Sequence, residues 1–190
     1  MESANVPLAP YIVDPRASRF TVQAFAAGLL SVAGHNPTIG IRSFSGEVRF
    51  SASATQASGF RISIQASSLN VQDDISDKDR REIERLMNEQ VLETAKYSEI
   101  VYEASEVAIT KIGDALFTAN LAGQLTLHGV TRRQPVTARI AVFGTLLRAS
   151  GDFTLNQSDY QIKPVSVAGG VLKVKDELKF SFEMVAREQS

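Results

Sequence analysis

Alternation of apolar and polar residues is the feature of this sequence that most constrains its fold. In a β-strand successive side chains point to opposite faces, so alternation is typical of strands with one face on a core and the other in water. The pattern predicts a mainly β, antiparallel, barrel-like domain whose strands are joined by short turns such as Ala57-Ser58-Gly59 and His128-Gly129. The clearest alternating segments are residues 44–50, 60–64, 117–127, 136–142, 147–153 and 178–184.

One segment departs from this alternation. Between about residues 77 and 91 the apolar residues recur at helical spacing, and charged residues fill most of the other positions. Such a stripe predicts a single amphipathic helix, and Ser76 just before it can accept hydrogen bonds from the free amides of the first turn. We expect this helix to lie across the barrel, over one mouth. Its apolar stripe consists of Ile83, Leu86, Met87 and Val91.

Composition limits the kinds of partner and chemistry. The 190 residues fit one domain, because no repeat, linker or low-complexity segment provides a boundary. The 20 basic and 21 acidic residues nearly cancel, so charge gives no indication of nucleic acid as a partner. With no cysteine and two histidines, the sequence excludes disulfides, thiolate nucleophiles and metal sites that require three histidines. An uncharged or apolar partner is therefore expected, with no metal.

The beginning of the sequence does not have the pattern of an export signal. Residues 1–10 contain neither basic residues nor an apolar stretch. The apolar run 24–34 could pass for part of a signal, but residues 19–23 already alternate as a strand would. At eleven residues this run is also far shorter than the roughly 20 that a spanning helix needs. We expect a soluble, cytoplasmic protein that is not an integral membrane protein.

No set of residues in the sequence forms a convincing catalytic site. His128, next to a glycine, is interpreted as a turn residue whose side chain points away from the core. His35 lies in the Gly-His-Asn-Pro segment 34–37 and is the candidate polar residue at the barrel mouth, where we prefer a loop hydrogen-bonding role. The acidic segment 73–79 is interpreted as a solvated helix entrance, because Lys78 stands where a calcium loop requires glycine.

Taken together, these segments resemble the YceI-like family of lipocalin-like proteins, which are associated with binding polyisoprenoid lipids. The strongest match is the sequence GQLTLHGVT at residues 123–131, and weaker matches are YIVDP at 11–15, FSGEVRF at 44–50 and KYSEI at 96–100. The resemblance runs from about Tyr11 to Ala186, and it implies that residues 1–190 form a single domain with its core over about 11–186. Its specificity comes from the order of these matches around one helical insertion.

The sequence also departs from the family pattern. Ala17 and Ala26 stand where the family commonly has histidine, and Ser98 stands where it has proline. Residues 156–161 keep only an outline of the usual Arg-Ser-Asp-Phe-Gly pattern. These departures concern polar groups that could orient a ligand head group, and they leave the expected fold unchanged.

The resemblance implies a barrel of about eight strands with an elongated apolar cavity, and commonly a homodimer. Many predicted inward positions carry small residues, which has two interpretations. Small side chains leave room inside a barrel of this size, or they let strands bend and faces pack closely. The positions are Ala24, Gly46, Ala119, Gly123, Ala138, Ala149 and Gly151.

The leading functional prediction is non-enzymatic binding or transport of a long apolar molecule in the barrel interior. A polyisoprenoid, an isoprenoid quinone and a fatty acyl lipid all fit this description, and no cofactor is expected apart from such a bound lipid. The predicted cavity lining is Phe20, Val22, Phe60, Ile62, Phe117, Leu121, Leu125, Ile140, Phe153, Phe180 and Phe182.

Two alternatives belong to other classes of function. An enzyme acting at the barrel mouth would use His35 as a general base, and it predicts that His35 lies beside a carboxylate. A ligand-free, dimerising interaction module predicts a filled interior and a large exposed apolar patch.

Overall fold

The computed structural model describes residues 8–27, 36–167 and 172–189. Most of the described residues lie in strands, and one helical segment in this part of the chain crosses the barrel. The helical segment consists of α1, Asp77–Leu86, and a π-helical turn, Met87–Val91; two 3₁₀ turns lie at Ala66–Ser68 and Gln157–Tyr160. The strands are β1 Ala9–Val13, β2 Arg19–Ala27, β3 Thr38–Ile41, β4 Phe44–Ser51, β5 Gln56–Gln65, β6 Leu69–Val71, β7 Glu99–Ala104, β8 Val107–Lys111, β9 Leu116–Leu127, β10 Val130–Phe143, β11 Leu146–Asn156, β12 Ser166–Val167 and β13 Leu172–Glu188.

Eight of these strands form a closed antiparallel barrel. The order is β1-β4-β5-β7-β9-β10-β11-β13, and β13 returns to β1 through the pair Val13 and Ala186. The first part of β13 also pairs with β2, which continues the sheet to β3 and β6. The predicted barrel of about eight strands is confirmed, and each of the six alternating segments lies within one strand.

The alternation of each strand places its apolar residues inside the barrel. In β9 the residues at every second position from Phe117 to Leu127 are buried, while most of the residues between them are exposed. Across the β9–β10 ladder Phe117 pairs with Ile140, and Leu121 pairs with Val136. Because paired residues of antiparallel strands share a face, these apolar side chains form layers inside the barrel.

One end of the barrel is packed shut. This closed end is formed by Tyr11, Val13, Phe50, Phe117 and Ala186, which are all buried. The Phe50 ring meets the Phe117 ring edge-on at a centroid distance of 5.4 Å. Such an arrangement of aromatic rings adds to the stabilisation from their buried area.

The helical segment covers the other end, and its bounds agree with the predicted residues 77–91. Ser76 caps it, because its Oγ accepts a hydrogen bond from the Asp79 amide at 3.1 Å. On the outer face Arg85 forms ion pairs with Glu82 and Glu89. We call this half of the barrel the helix-covered end.

Two side chains of α1 bind the backbone of β6, the last strand on this side of the sheet. Glu84 Oε1 accepts a hydrogen bond from the Val71 amide at 3.0 Å, and Arg80 Nη1 donates to the Val71 carbonyl. Arg80 Nη2 also donates to the Asp73 carbonyl at 2.9 Å. The helix therefore supplies partners for backbone groups at an otherwise unpaired strand edge. No helix in the described part of the chain is long and apolar enough to cross a bilayer.

Candidate binding cavity

A cavity of about 530 Å³ lies inside the barrel, between the closed end and the helix. This volume falls within the range of about 300–1,000 Å³ that is usual for small-molecule sites. Inward residues of the barrel strands form its wall, and Ile83, Leu86 and Met87 of the helical segment cover it. The interior is therefore hollow, contrary to the filled interior expected of a purely structural module.

Ten of the eleven residues predicted to line the cavity lie on its wall. Phe117 is the exception, since it is 1% exposed and packs against Phe50 at the closed end. Alternation identifies the face of a strand, but it does not give the depth of a residue along the barrel. Contact of the other ten with a ligand stays a prediction; they are Phe20, Val22, Phe60, Ile62, Leu121, Leu125, Ile140, Phe153, Phe180 and Phe182.

Phenylalanines form one side of this wall. The rings of Phe153 and Phe180 stack at a centroid distance of 4.8 Å, and Phe20 lies 6.2 Å from Phe180 and 6.3 Å from Phe182. Register explains the cluster, because Phe153 pairs with Phe180 across β11 and β13, and Phe182 pairs with Phe20 across β13 and β2. Phe153, Phe180 and Phe182 are only half-buried although they lie on the inner face, since they border the cavity.

Alanines widen this space. The four inward alanines named in the sequence analysis all lie on the cavity wall, and two of them, Ala119 and Ala138, pair directly across β9 and β10. A larger side chain at either position would project into the cavity. For the alanines, the interpretation that small residues leave room is confirmed.

The three inward glycines have a different role. A Cβ at Gly123 would lie 2.2 Å from the Tyr102 ring, and one at Gly151 would lie 2.9 Å from the Phe182 ring. A Cβ at Gly46 would lie 2.9 Å from a backbone oxygen of β5. These positions are already covered by neighbours, so for the glycines the second interpretation, close packing, holds and the first does not. They let a ring or a strand approach closely instead.

Tyr102 spans from β7 across β9 to β10. Its ring lies over Gly123, and its hydroxyl donates a hydrogen bond to the Gln134 carbonyl at 3.0 Å. Burial raises the pKa of Tyr102 to about 12. The hydroxyl therefore remains a neutral donor at ordinary pH, and it fixes one side of the cavity wall.

Few polar side chains reach the wall. Asp73 Oδ2 accepts a hydrogen bond from the Thr38 amide at 2.8 Å, and Asp79 Oδ2 accepts one from Ser76 Oγ at 2.7 Å. Gln157 Nε2 donates to the Lys175 carbonyl at 2.9 Å. Sequence reasoning missed all three as wall residues. For Gln157 the available signal was its place in segment 156–161, where the chain departs from the family pattern.

His128 contacts the loop that follows the helical segment. It occupies a turn with a φ of 52°, as interpreted from the sequence, and its side chain is not part of the cavity wall. Its Nε2 lies 2.7 Å from Glu93 Oε2, its Nδ1 lies 3.3 Å from the Tyr160 carbonyl, and its ring centroid lies 4.3 Å from that of Tyr97. Because a carbonyl can only accept, Nδ1 is the donor to Tyr160. The side chain is thus held between three segments, rather than exposed at a turn.

The other sequence candidates for chemistry remain without support. His35 lies outside the described residues, so its expected position beside a carboxylate is not part of this structure. Within the described ranges, no cluster of three or more His, Asp or Glu side chains could hold a metal ion.

Comparison with known proteins gives a family and a set of similar folds. A family model described as the YceI-like domain matches residues 11–186. BcnA of Burkholderia cenocepacia is 17% identical with a TM-score of 0.68, and the match covers 91% of this chain and 98% of that one. A polyisoprenoid binding domain from Saccharophagus degradans is 16% identical with a TM-score of 0.68, covering 96% and 99%. The YCEI protein of Campylobacter jejuni is 15% identical with a TM-score of 0.62, covering 83% and 88%. No curated protein matches the chain.

Proposed function

Because the chain belongs to the YceI-like family, we propose that it is a non-enzymatic binding or transport protein for a long apolar molecule. A polyisoprenoid, an isoprenoid quinone and a fatty acyl lipid are the ligand classes that this proposal includes. The observation that carries it is the cavity of about 530 Å³ beneath the helix, whose wall is almost entirely aliphatic and aromatic. The similar fold from Saccharophagus degradans, itself a polyisoprenoid binding domain, supports the same ligand class.

The energetics of burial favour such a ligand. Each methylene moved from water to an apolar site contributes about 0.8 kcal/mol, so several isoprene units supply on the order of 10 kcal/mol before ordering costs are subtracted. The stacked rings of Phe153 and Phe180 offer a preformed apolar surface for this contact. Affinity can therefore come from the chain of the ligand, without a charged anchor.

Native mass spectrometry and solvent extraction of protein purified from its own host test the proposal. We expect a co-purifying lipid in the unmodified protein and at least a tenfold lower occupancy in Ala138→Phe, because the new ring occupies the cavity. The matched control is Arg139→Phe, the exposed neighbour on the same strand, which should retain the lipid. The same native spectrum reports whether the chain forms the homodimer that the family resemblance implies.

The result that would contradict the proposal is equally specific. It is the absence of any bound lipid in the unmodified protein, together with no binding of an added C20 isoprenoid alcohol. Equal lipid occupancy in Ala138→Phe and the unmodified protein would place the ligand outside the barrel.

A further inference from the structure

The polar groups on the cavity wall point to a choice among ligands. Resting on the proposed function, we propose that the cavity selects a long apolar ligand with an uncharged, hydrogen-bonding head group, and that Gln157 binds this head group. An alcohol or an amide belongs to this class. A phosphate or a carboxylate does not.

The charge of the cavity wall disfavours an anionic head group. Among the described residues, those that line the cavity include no lysine, arginine or histidine, whereas they include the acidic residues Asp73 and Asp79. Arg80 of α1 is a cation close to Asp73, but its guanidinium already donates hydrogen bonds to the carbonyls of Val71 and Asp73. An anionic head group inside the cavity would lose its hydration without gaining a cation, and burial of an unpaired charge is strongly unfavourable.

The side-chain amide of Gln157 has an oxygen that is available to a ligand. Gln157 is 4% exposed and lies on the cavity wall. Its Nε2 donates to the Lys175 carbonyl. Because a carbonyl can only accept, this bond identifies the nitrogen of the amide and leaves Oε1 as its acceptor atom. No side chain or amide within the described ranges donates to Oε1. Oε1 is also absent from the fully buried side-chain atoms that lack a partner, which in the described part of the chain are represented by Asn70 Oδ1, so it keeps some accessible surface. A ligand hydroxyl or N–H can therefore donate to Oε1, with the modest gain that is typical of one hydrogen bond.

The segment that carries Gln157 is held in place by several hydrogen bonds. The 3₁₀ turn is tied to β13, because the Ser158 amide donates to Asp176 Oδ1 at 2.8 Å and Ser158 Oγ donates to Asp176 Oδ2. The Ile162 amide closes the turn on the Gln157 carbonyl at 3.1 Å. A preorganised acceptor loses little entropy on binding, and that makes it suitable for discriminating between head groups.

The test compares three probes with the same C20 chain. These are geranylgeraniol, geranylgeranyl diphosphate and the hydrocarbon without the hydroxyl, each measured by displacement of an apolar fluorescent dye. In the unmodified protein we expect the alcohol to bind at least about 100-fold more tightly than the diphosphate. Gln157→Leu should weaken the alcohol by about five- to tenfold and leave the hydrocarbon unchanged, since one hydrogen bond is lost.

Controls separate this inference from the proposed function. Asn156→Leu changes the exposed amide directly before Gln157, in extended backbone and without a side-chain capping bond, and it should leave all three affinities unchanged. Gln157→Met keeps the shape of the side chain and serves as the second variant if leucine disturbs folding. Equal affinities for alcohol and diphosphate, or equal losses for alcohol and hydrocarbon in both variants, would overturn the role of Gln157 and leave an apolar binding cavity. If none of the probes binds, the proposed function fails, and this inference with it.

Discussion

The closed end and the helix-covered end of the barrel use the same strands differently. On β13, Ala186 is fully buried at the closed end, and Leu147, its partner on β11, is 1% exposed although it also lines the cavity. By contrast, Phe153 and Phe180 on the same two strands are only half-buried on the cavity wall. All four lie on the inner face of the barrel. The side-chain pattern is thus continuous along each strand, while the packing density is not.

The difference arises from what covers each end. At the closed end β1 pairs with both β4 and β13 and inserts Tyr11 and Val13 into the core. At the other end α1 lies over the interior without a single buried residue of its own. A paired strand fills the space between its neighbours, but a helix laid across a mouth leaves a volume below it. We infer that stability is concentrated at one end and the capacity to bind at the other.

The largest expected effect tests this division directly. Phe117→Ala at the closed end should lower the free energy of unfolding by about 3–5 kcal/mol, because it leaves a cavity in dense packing. Phe180→Ala on the cavity wall should cost less than half of that, since the ring already borders empty space, and it should impair ligand binding more. Urea denaturation of both variants measures the contrast. Equal losses of stability would show that the two ends are packed alike.

A smaller effect on the free energy of unfolding is expected at alkaline pH, where the titration of Tyr102 depends on how far water is excluded from its side chain. Its pKa is about 12 in the folded chain against 10.0 ordinarily, so the folded state holds the proton more tightly. The resulting stabilisation is complete below about pH 10 and is lost as the pH rises towards 12, amounting to roughly 2–3 kcal/mol.

The control for this pH dependence is Tyr102→Phe. It should lose about 1 kcal/mol at neutral pH with the hydrogen bond to Gln134, and it should show a shallower decline of stability above pH 10. Burial also raises the pKa of Tyr11 and Tyr160, but both residues remain in the variant and cancel in the difference. Identical pH profiles would mean that water reaches Tyr102 in the folded protein.

The smallest expected effect on stability concerns His128, which holds the loop that follows the helical segment. His128→Ala removes the contacts with Glu93 and Tyr97 and should lower global stability by about 1 kcal/mol. Amide exchange in residues 88–97 should increase much more than exchange at the closed end. The matched variant Thr126→Ala removes an exposed side-chain contact on the same hairpin and should leave residues 88–97 unaffected. Uniform acceleration across the barrel would contradict a local role.

Much of this architecture could be predicted from periodicity. The strands that form the barrel wall and the helix over 77–91 follow from which positions are apolar, because periods of 2 and 3.6 produce different faces. Periodicity could not separate Phe117 from Phe153, since both are inward residues and only strand register decides their depth. It also could not separate Gly123 from Ala119. One is covered by a tyrosine from another strand, and the other borders empty space.

The polar part of the site was still harder to predict. Gln157 lies in a 3₁₀ turn, where no periodicity indicates which side chains face inward. The partner of His128 is Glu93, which is 35 positions away in sequence. Such contacts depend on how loops return to the barrel, and one sequence contains no direct signal for that.

The bonds from Arg80 and Glu84 to Val71 have a consequence for self-association. An unpaired strand is a template for a strand from another molecule, and proteins shield such edges with charged groups or with a covering helix. Here the same helix that covers the cavity shields β6, the end of the sheet. Displacement of this helix would therefore open the cavity and, at the same time, expose the edge of β6 to pairing with a strand of another molecule. We therefore expect a change that detaches the helix to promote pairing between molecules along that edge.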